Sequence, residues 1–367
     1  MVPKQYRLLA KATKIIIFLV LFFAALYYAK PVLVPLTFGI LLAMLFVPLS
    51  RRLEKMGIGR GFSAVVCILL LLASVSGIIL LLSTQMQDLP SDISAIEQKV
   101  KQGITRLQQH IDATFGISVT EQNKMVQQSN AGGKVGTLGT TIVSSVLGML
   151  VDIILVLVYI FLFMYFRVHI KRFFLKLVPS NQNEKTQNVL SACRKVAEQY
   201  LVGLSTMIMM LWVMYGIGFS IVGIKNAIFF AVLCGLLEVV PFVGNLIGTA
   251  ITLLMAASQG GGTSMIVGIL VTYTTVQFVQ TYILEPLVVG SEVNINPLAT
   301  IIVLVVGETI WGIPGMILSI PILGIVKIVS DNVELLKPFG YLIGGQSKSE
   351  KPGLADKLKG WVSGLRK

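Results

Sequence analysis

Two apolar stretches, residues 226–257 and 297–328, constrain the fold of this chain more than any other feature. Each is longer than the ~20 residues with which an α-helix crosses the hydrocarbon core of a bilayer. Both are interrupted by proline and glycine, and each carries one glutamate, Glu238 in LLEVVPFVGNLIG and Glu308 in VGETIWGIPG. An isolated carboxylate in an apolar segment is costly and indicates a functional position. The pattern predicts two broken helices inside a membrane.

The composition supports a membrane protein. Of the 367 residues, 55% are hydrophobic and 13% are charged, and the mean hydropathy is +0.83. A soluble domain usually carries about a quarter of charged residues. The net charge of +13 comes from basic residues that cluster at the ends of apolar runs, as is expected beside a lipid bilayer. Because the sequence has no RNA- or DNA-binding signature, we expect no nucleic-acid partner.

The sequence lacks motifs of catalysis and metal binding. Cys67, Cys193 and Cys234 are isolated and are expected to be buried apolar side chains. No histidine and cysteine cluster has the spacing of metal ligands. Neither a phosphate-binding loop nor a hydrolase motif occurs. The sequence therefore predicts no enzyme, no metal site and no cofactor.

Eight apolar segments predict an all-α polytopic membrane protein. They are residues 15–29, 32–49, 62–83, 142–166, 201–224, 226–257, 264–284 and 297–328. Lysine and arginine cluster in the N-terminal tail, in two loops and in the C-terminal tail, whereas residues 85–141 balance acidic and basic residues. Because cytoplasmic loops carry the excess of positive charge, the basic regions and both termini are expected in the cytoplasm.

We divide the chain into six parts on this basis. These are N-terminal membrane helices (1–84), an extracytoplasmic helical and linker domain (85–141), a membrane helix (142–166), a basic cytoplasmic connector (167–200), a C-terminal membrane unit of transport type (201–328) and a basic cytoplasmic tail (329–367). Within the outer domain, apolar residues at helical spacing predict an amphipathic helix over residues 88–110. We expect this helix to pack on its own chain, on the membrane or on a second copy.

The excess of positive charge expected in cytoplasmic regions requires the two long segments to have the same topology. The basic C-terminal tail is cytoplasmic if both segments are single tilted spans, or if both are re-entrant helical hairpins. If only one were a hairpin, the tail would lie outside. A continuous helix over residues 226–257 would be ~48 Å long, which exceeds the bilayer core and favours hairpins. Irregular backbone of this kind is tolerated where it lines a cavity.

Several polar residues are candidates for binding a solute or a proton. They are Glu238, Glu308, Asp152, Asn245, Gln277, Gln280 and Tyr273. Glu238 either binds the solute or caps free backbone groups at the break, and Asp152 serves either interhelical structure or transport. The spacing of Tyr273, Gln277 and Gln280 places three hydrogen-bonding groups on one helix face. Such amides serve either as contacts between helices or as ligands of a neutral, hydroxyl-rich solute.

Proline and glycine mark the expected helix breaks and hinges. They are Pro241, Gly244, Gly248, Pro286, Gly290, Pro297, Gly312, Pro314, Gly315 and Pro321. Proline lacks the backbone N–H of a helix interior, and glycine lets two backbones approach closely. Paired segments interrupted in this way are typical of the binding sites of secondary transporters.

The ordered motifs YLVGL, LLEVVPFVGNLIG, ILEPLVVGSEVNINPL and GIPGMILSIPILGIVK resemble those of the autoinducer-2 exporter (AI-2E) family. The resemblance covers about residues 28–328 and is weaker in the outer domain and the tail. It implies a transporter of the bacterial inner membrane that exports autoinducer-2, a small furanone-type quorum-sensing signal. It also implies a homo-oligomer, with a pentamer as the expected form. Some family members are credited with sodium–proton antiport, so the resemblance leaves the substrate open.

Three functions compete at this point. The first is export of a small polar molecule such as autoinducer-2, driven by its own gradient or by protons taken up at Glu238 or Glu308. The second is antiport of sodium or lithium against protons, with Glu238, Glu308 and Asp152 as titrating groups. The third is a scaffold or regulator that moves no solute and uses the outer helix and the basic loops as contacts.

Labelling of single cysteines from outside intact cells tests the topology. In two re-entrant hairpins, Gln259→Cys is labelled from outside and Ser291→Cys is protected, because the second loop then faces the cytoplasm. Two full spans reverse both results. Labelling of both positions from outside, or of neither, would contradict the expectation that the basic C-terminal tail is cytoplasmic.

Overall fold

The computed structural model describes residues 4–85, 138–241, 243–258, 260–284 and 295–345. Every named element in these ranges is helical, and the one backbone bridge, between Ile295 and Gly344, is isolated. The prediction of an all-α protein is therefore confirmed. The predicted amphipathic helix over 88–110 lies outside the described residues, as do Pro286 and Gly290.

Eleven α-helices and two short 3-10 helices make up the described chain. Helices α1 to α5 comprise Lys4–Tyr28, Lys30–Lys55, Arg60–Gln85, Leu138–Lys176 and Asn183–Val222, with a 3-10 turn at Ser180–Gln182 before α5. Helices α6 to α11 comprise Ala227–Leu237, Val243–Ser258, Thr263–Val279, Pro297–Trp311, Ile313–Asn332 and Lys337–Ile343, with a second 3-10 turn at Glu334–Leu336. The region 167–200 is thus mostly helical, because α4 and α5 continue beyond their apolar runs.

Six helices of the described chain are long and apolar enough to cross a membrane. These spans are Lys30–Lys55, Arg60–Thr84, Val151–Lys176, Ser180–Val222, Thr263–Leu284 and Ile313–Asn332. Four apolar helices are shorter: Thr13–Tyr28, Ala227–Leu237, Val243–Ala257 and Pro297–Trp311. Large apolar side chains are exposed along most of them, for example Leu80, Val213 and Ile302. In lipid such side chains are well solvated, so the fold is that of a multi-pass membrane protein.

The first long segment, 226–257, is broken as predicted. Helix α6 ends at Leu237 because the ring of Pro241 would clash with the Leu237 carbonyl in a continuous helix. Helix α7 begins at Val243 and runs back along α6. A Cβ on Gly244 would lie 1.6 Å from the Leu237 carbonyl oxygen, and one on Gly248 would lie 3.1 Å from the Cα of Cys234. These contacts on either side of the turn define an antiparallel hairpin, called here the first hairpin.

The second long segment, 297–328, is also broken. Gly312 joins α9 to α10 with a φ of +67°, a conformation that side-chain-bearing residues rarely adopt. Pro314 follows in the first turn of α10, where a missing N–H costs nothing. The Ser319 hydroxyl donates to the Val303 carbonyl at 2.9 Å, and a Cβ on Gly315 would lie 1.9 Å from the Gly307 carbonyl oxygen. The two arms form an antiparallel second hairpin.

Helix α5 connects the two hairpins. Its C-terminal half packs against the first hairpin and α8 in a core that contains Leu211, Phe219, Phe230, Met255 and Ile269. The Trp212 indole N–H donates to the Val232 carbonyl of α6 at 3.1 Å. Its N-terminal half places Ala197 against Leu41 of α2 and Leu318 of α10. One long helix therefore packs against both hairpins.

Helices α2, α3 and α4 form a second packing unit around Ala43, Cys67, Ile160 and Met164. At one end of this unit, the Arg167 guanidinium donates to both carboxylate oxygens of Glu54, at 2.6 and 2.5 Å. The Ser50 hydroxyl also donates to Glu54, at 2.8 Å. Both bonds come from Arg167 Nη2, while Nη1 donates to the Ser50 hydroxyl oxygen at 3.1 Å, and these charge-assisted bonds orient both partners. They join α4 to α2 just beyond the apolar parts of the two helices.

Gly315→Ala tests the packing of the second hairpin. The added methyl group would overlap the Gly307 carbonyl, so we expect the free energy of unfolding to fall by about 1–3 kcal/mol. Gly77→Ala in α3 is the matched control, because no atom lies within 4 Å of its Cβ position. Thermal unfolding of the full chain in detergent measures both. Equal midpoints for the two variants would contradict the described contact.

Candidate functional site

Polar side chains from four helical elements meet beside the break of the first hairpin. The polar cluster consists of Tyr215 on α5, Glu238 at the end of α6, Asn245 in the first turn of α7, Gln277 on α8 and Gln280 just after α8. Asn245 is 4% exposed and Gln280 is 2% exposed. Because buried polar groups need partners, their hydrogen bonds define what the cluster can do.

One part of the cluster is a directed chain of hydrogen bonds. The Tyr215 hydroxyl donates to Asn245 Oδ1 at 2.9 Å. Asn245 Nδ2 donates to Gln277 Oε1, and Gln277 Nε2 lies 3.4 Å from the Thr281 hydroxyl oxygen, to which it donates. Each of the two amides therefore donates at one end and accepts at the other. Reversing either amide would break two bonds, so their orientations are fixed by their neighbours.

The other part of the cluster is the pair of Glu238 and Gln280. Gln280 Nε2 donates to Glu238 Oε1 at 2.7 Å. Hydrogen bonds to an ionised group in a medium of low dielectric constant are stronger than those in water. Glu238 follows the last residue of α6, where the partial negative charge of the helix end disfavours a carboxylate. The amide donor offsets part of this cost.

The break itself brings these side chains together. Glu238 and Asn245 lie on opposite sides of the turn, and the close approach of Gly244 to Leu237 brings α6 and α7 into contact there. Farther along the arms, Gly248 contacts Cys234, so α7 lies against α6 along its first turns. Larger residues at either glycine would separate the arms. The glycine and proline spacing thus positions the polar residues.

Unused hydrogen-bonding capacity remains in this region. Gln280 Oε1 and Thr249 Oγ1 are buried and accept or donate no hydrogen bond within the described residues. Thr249 follows Asn245 by one helical turn, and Thr252 continues the same face of α7. Tyr273 is half-buried on α8, one turn before Gln277. Two helix faces thus present hydroxyl and amide groups next to one carboxylate.

Tyr215 and Thr249 were not predicted from the sequence. Tyr215 lies within the apolar run LWVMYGIGF, where a tyrosine hydroxyl must find a hydrogen-bond partner if it is buried. Thr249 follows Asn245 at a spacing of four, which indicates a shared helix face. Both signals are present in the sequence, but each is common in helices that serve no binding function.

Asp152 and Glu308 are placed elsewhere. Both are exposed, Asp152 on α4 and Glu308 on α9, and neither forms a hydrogen bond or ion pair through its carboxylate within the described ranges. The structure therefore brings Glu238 together with amides and a hydroxyl, and not with the other two predicted carboxylates. In the part of the chain that the structure describes, no three His, Cys, Asp or Glu side chains form a group suited to a metal ion.

The remaining predicted break residues belong to the second hairpin. Pro297 begins α9, and Asn296 caps this helix by accepting a hydrogen bond from the Leu298 N–H at 2.9 Å. Gly312, Pro314 and Gly315 form the turn described above. Pro321 is buried within α10. The role of each predicted site residue in transport, including whether Glu238 binds a ligand or caps the break, stays a prediction.

A multi-pass helical protein with two broken membrane segments and a buried polar cluster at one break belongs to the class of membrane transport proteins. Comparison with known sequences identifies the family. A model of AI-2E family transporters matches residues 16–334, and the chain therefore belongs to that family. The resemblance predicted from the sequence motifs is confirmed.

Several bacterial relatives align over most of the chain. The "Putative transport protein YrrI" of Bacillus subtilis is 23% identical over 310 residues, covering 82% of this chain and 86% of the relative. The "Putative transport protein YhhT" of Escherichia coli is 23% identical over 339 residues, covering 91% and 95%. The "Putative transport protein BpOF4_00890" of Alkalihalophilus pseudofirmus is 23% identical over 328 residues, covering 83% of each. Their names agree with a transport protein and give no substrate.

Asn245→Leu tests the hydrogen-bond chain. The substitution leaves the Tyr215 hydroxyl and Gln277 Oε1 without their partner, so we expect the free energy of unfolding to fall by about 3 kcal/mol. Asn332→Leu is the control, because Asn332 only donates to the Ile328 carbonyl of its own helix. Unfolding in mixed detergent micelles measures both. A loss no larger than that of the control would show that the chain contributes little to stability.

Proposed function

We propose that this protein is a secondary transporter of the bacterial cytoplasmic membrane, and that it exports a small polar molecule, autoinducer-2 in particular. The observation that carries the proposal is the polar cluster beside the break of the first hairpin. Glu238 and Asn245 of this hairpin form hydrogen bonds there with Gln280 and Gln277 from the facing helix. Membership of the AI-2E transporter family supports the same conclusion.

The chemistry of the cluster favours a neutral solute with several hydroxyl groups. Amide groups both donate and accept hydrogen bonds, and the single carboxylate accepts them. A hydroxyl-rich molecule presents the same mixture of donors and acceptors. Three carboxylates gathered at one point would have suited a monovalent cation better, but Asp152 and Glu308 lie outside the cluster. Export of a small hydroxylated molecule is therefore preferred to cation–proton antiport.

The cluster is closed in this structure, because its members bind one another. A solute can enter only if its own polar groups replace bonds such as that between Glu238 and Gln280. Replacement of one hydrogen-bond partner by another of similar quality costs little, whereas an apolar solute would leave both groups unsatisfied. Selectivity for polar molecules follows from this exchange. Movement of the first hairpin relative to α8 would open the site.

The orientation and assembly follow from charge and family. The basic N-terminal tail, the region around Arg167 and the basic C-terminal tail are proposed to face the cytoplasm. The exposed apolar surfaces of the helices are proposed to contact lipid and further copies of the chain in a homo-oligomer, as the family resemblance implies. A pentamer is the proposed form. The energy source is the gradient of the solute, of protons or of a monovalent cation.

Efflux from proteoliposomes tests the transport proposal. Vesicles that contain the purified full chain and labelled autoinducer-2 should release it faster than empty liposomes. Glu238→Gln should slow release about tenfold or more, because loss of one charge-assisted hydrogen bond costs at least ~1.4 kcal/mol. Glu308→Gln is the matched control and should transport like the wild type, since its side chain lies outside the cluster.

Release at the rate of empty liposomes would exclude autoinducer-2 as the solute. A pH-sensitive dye added to the same vesicles tests cation–proton antiport: a response to sodium, lithium or potassium would favour that function over export. If neither the wild type nor Glu238→Gln releases the solute or responds to a cation at equal membrane levels, the scaffold hypothesis gains support and the transport proposal fails. Equal release by both proteins would contradict only the role given to Glu238.

A further inference from the structure

We propose that Arg51 on α2 and Arg194 on α5 together bind the phosphate group of one anionic phospholipid. The site lies where these helices leave the hydrocarbon core, beside the ion pair between Arg167 and Glu54. It is separate from the polar cluster. It also goes beyond the proposed function, because it recognises the membrane and not the transported solute.

The packing of α2 against α5 places the two arginines near each other. Leu41 on α2 packs against Ala197 on α5. Arg194 precedes Ala197 by about one turn and therefore lies toward the same side of α5. On α2, Arg51 follows the buried Val47 at a spacing of four, so the two share a helix face. Arg51 and Arg194 interact electrostatically across this junction.

The charges at this junction do not balance. Arg51 interacts electrostatically with two further arginine and glutamate pairs of opposite charge: Arg194 with Glu198, and Arg167 with Glu54. Glu54 is already engaged by Arg167, which donates to both of its carboxylate oxygens. Two guanidinium groups, those of Arg51 and Arg194, therefore remain against the one carboxylate of Glu198. Within the described ranges, neither of these guanidinium groups forms a hydrogen bond or an ion pair.

A phosphate diester matches this unbalanced pair. The guanidinium group is planar and presents several N–H donors in a fork that fits the oxygen atoms of a phosphate. Hydrogen bonds between a guanidinium and a phosphate are charge-assisted and therefore stronger than neutral ones. A diester carries a single negative charge and two oxygens that each accept hydrogen bonds. One bound phosphate would thus offset the repulsion between Arg51 and Arg194 and satisfy donors on both.

The position of the pair favours a lipid over a free phosphate ion. Arg51 is exposed and follows the apolar run 32–49 by two residues, which places it near the level of the lipid headgroups. About two turns beyond Arg194, an exposed apolar stripe begins on the adjoining side of α5 and contains Val202, Met209 and Val213. A phospholipid can use both features, with its phosphate on the arginines and an acyl chain along the stripe.

Thermal unfolding of the full chain in zwitterionic detergent micelles tests the site. We expect added phosphatidylglycerol to raise the unfolding midpoint of the wild type until the site is saturated. Arg51→Gln and Arg194→Gln should each need about tenfold more phosphatidylglycerol for half of this rise, because each loses charge-assisted hydrogen bonds to the phosphate. Phosphatidylethanolamine, which has no net charge, should raise the midpoint much less.

Arg172→Gln is the matched control. Arg172 is exposed on α4 and lies about 140° around that helix from Arg167. Its substitution removes the same charge as Arg51→Gln and should leave the response to phosphatidylglycerol unchanged. If all three variants respond like the wild type, or all three lose the response equally, the lipid is attracted by the basic surface as a whole and the proposed site is wrong.

Two further measurements separate the lipid site from other roles of these arginines. Without phosphatidylglycerol, Arg51→Gln should unfold at a midpoint no lower than that of Arg172→Gln, since it relieves a repulsion. A clearly lower midpoint would show that Arg51 only stabilises the fold. Inorganic phosphate in place of the lipid should have little effect. An equal rise with inorganic phosphate, absent in Arg51→Gln, would overturn the lipid assignment in favour of a site for the free ion.

Discussion

The whole fold depends on one requirement: a helix broken inside a bilayer exposes backbone groups that lipid cannot satisfy. The residues at the two breaks, Pro241 and Gly312, are partly buried by protein. Glycines at the contacts allow the two arms of each hairpin to approach closely. The long helix α5 packs against both hairpins. The packing of α5 against the first hairpin also buries Asn245 of the polar cluster. Structure and proposed function thus arise from one constraint.

Helix α5 has a double role in this arrangement. Its apolar side chains fill the core between the first hairpin and α8, while Tyr215 on the same helix anchors the chain of amides. The hydroxyl of Tyr215 holds Asn245, and Asn245 in turn holds Gln277. Tyr215 therefore orients Asn245 directly and Gln277 indirectly, through Asn245. Asn245 and Gln277 are each bonded through both their oxygen and nitrogen atoms, whereas the side-chain amide of Gln280 is bonded through its nitrogen to Glu238.

The sequence predicts the helices and both breaks because the relevant signals are local. Apolar length, proline and glycine determine where a membrane helix can continue, and Pro241 and Gly312 lie where the helices end. Gln277 and Gln280 were also identified as candidates, since their spacing with Tyr273 indicates a polar helix face, and Asn245 was a candidate as well. The helix against which that face packs depends on the three-dimensional fold and not on local sequence. For this reason the sequence could not show that Glu308 and Asp152 are exposed or that Tyr215 joins the cluster.

Backbone hydrogen bonds fasten the start of the second hairpin. The chain before α9 is held by the bridge between Ile295 and Gly344 and by the bond from the Asn296 N–H to the Ile343 carbonyl at 2.8 Å. These backbone hydrogen bonds join the chain before α9 to the chain after α11. The second broken segment is therefore tied at its start to the chain that follows it, so that α9 begins beside the end of α11.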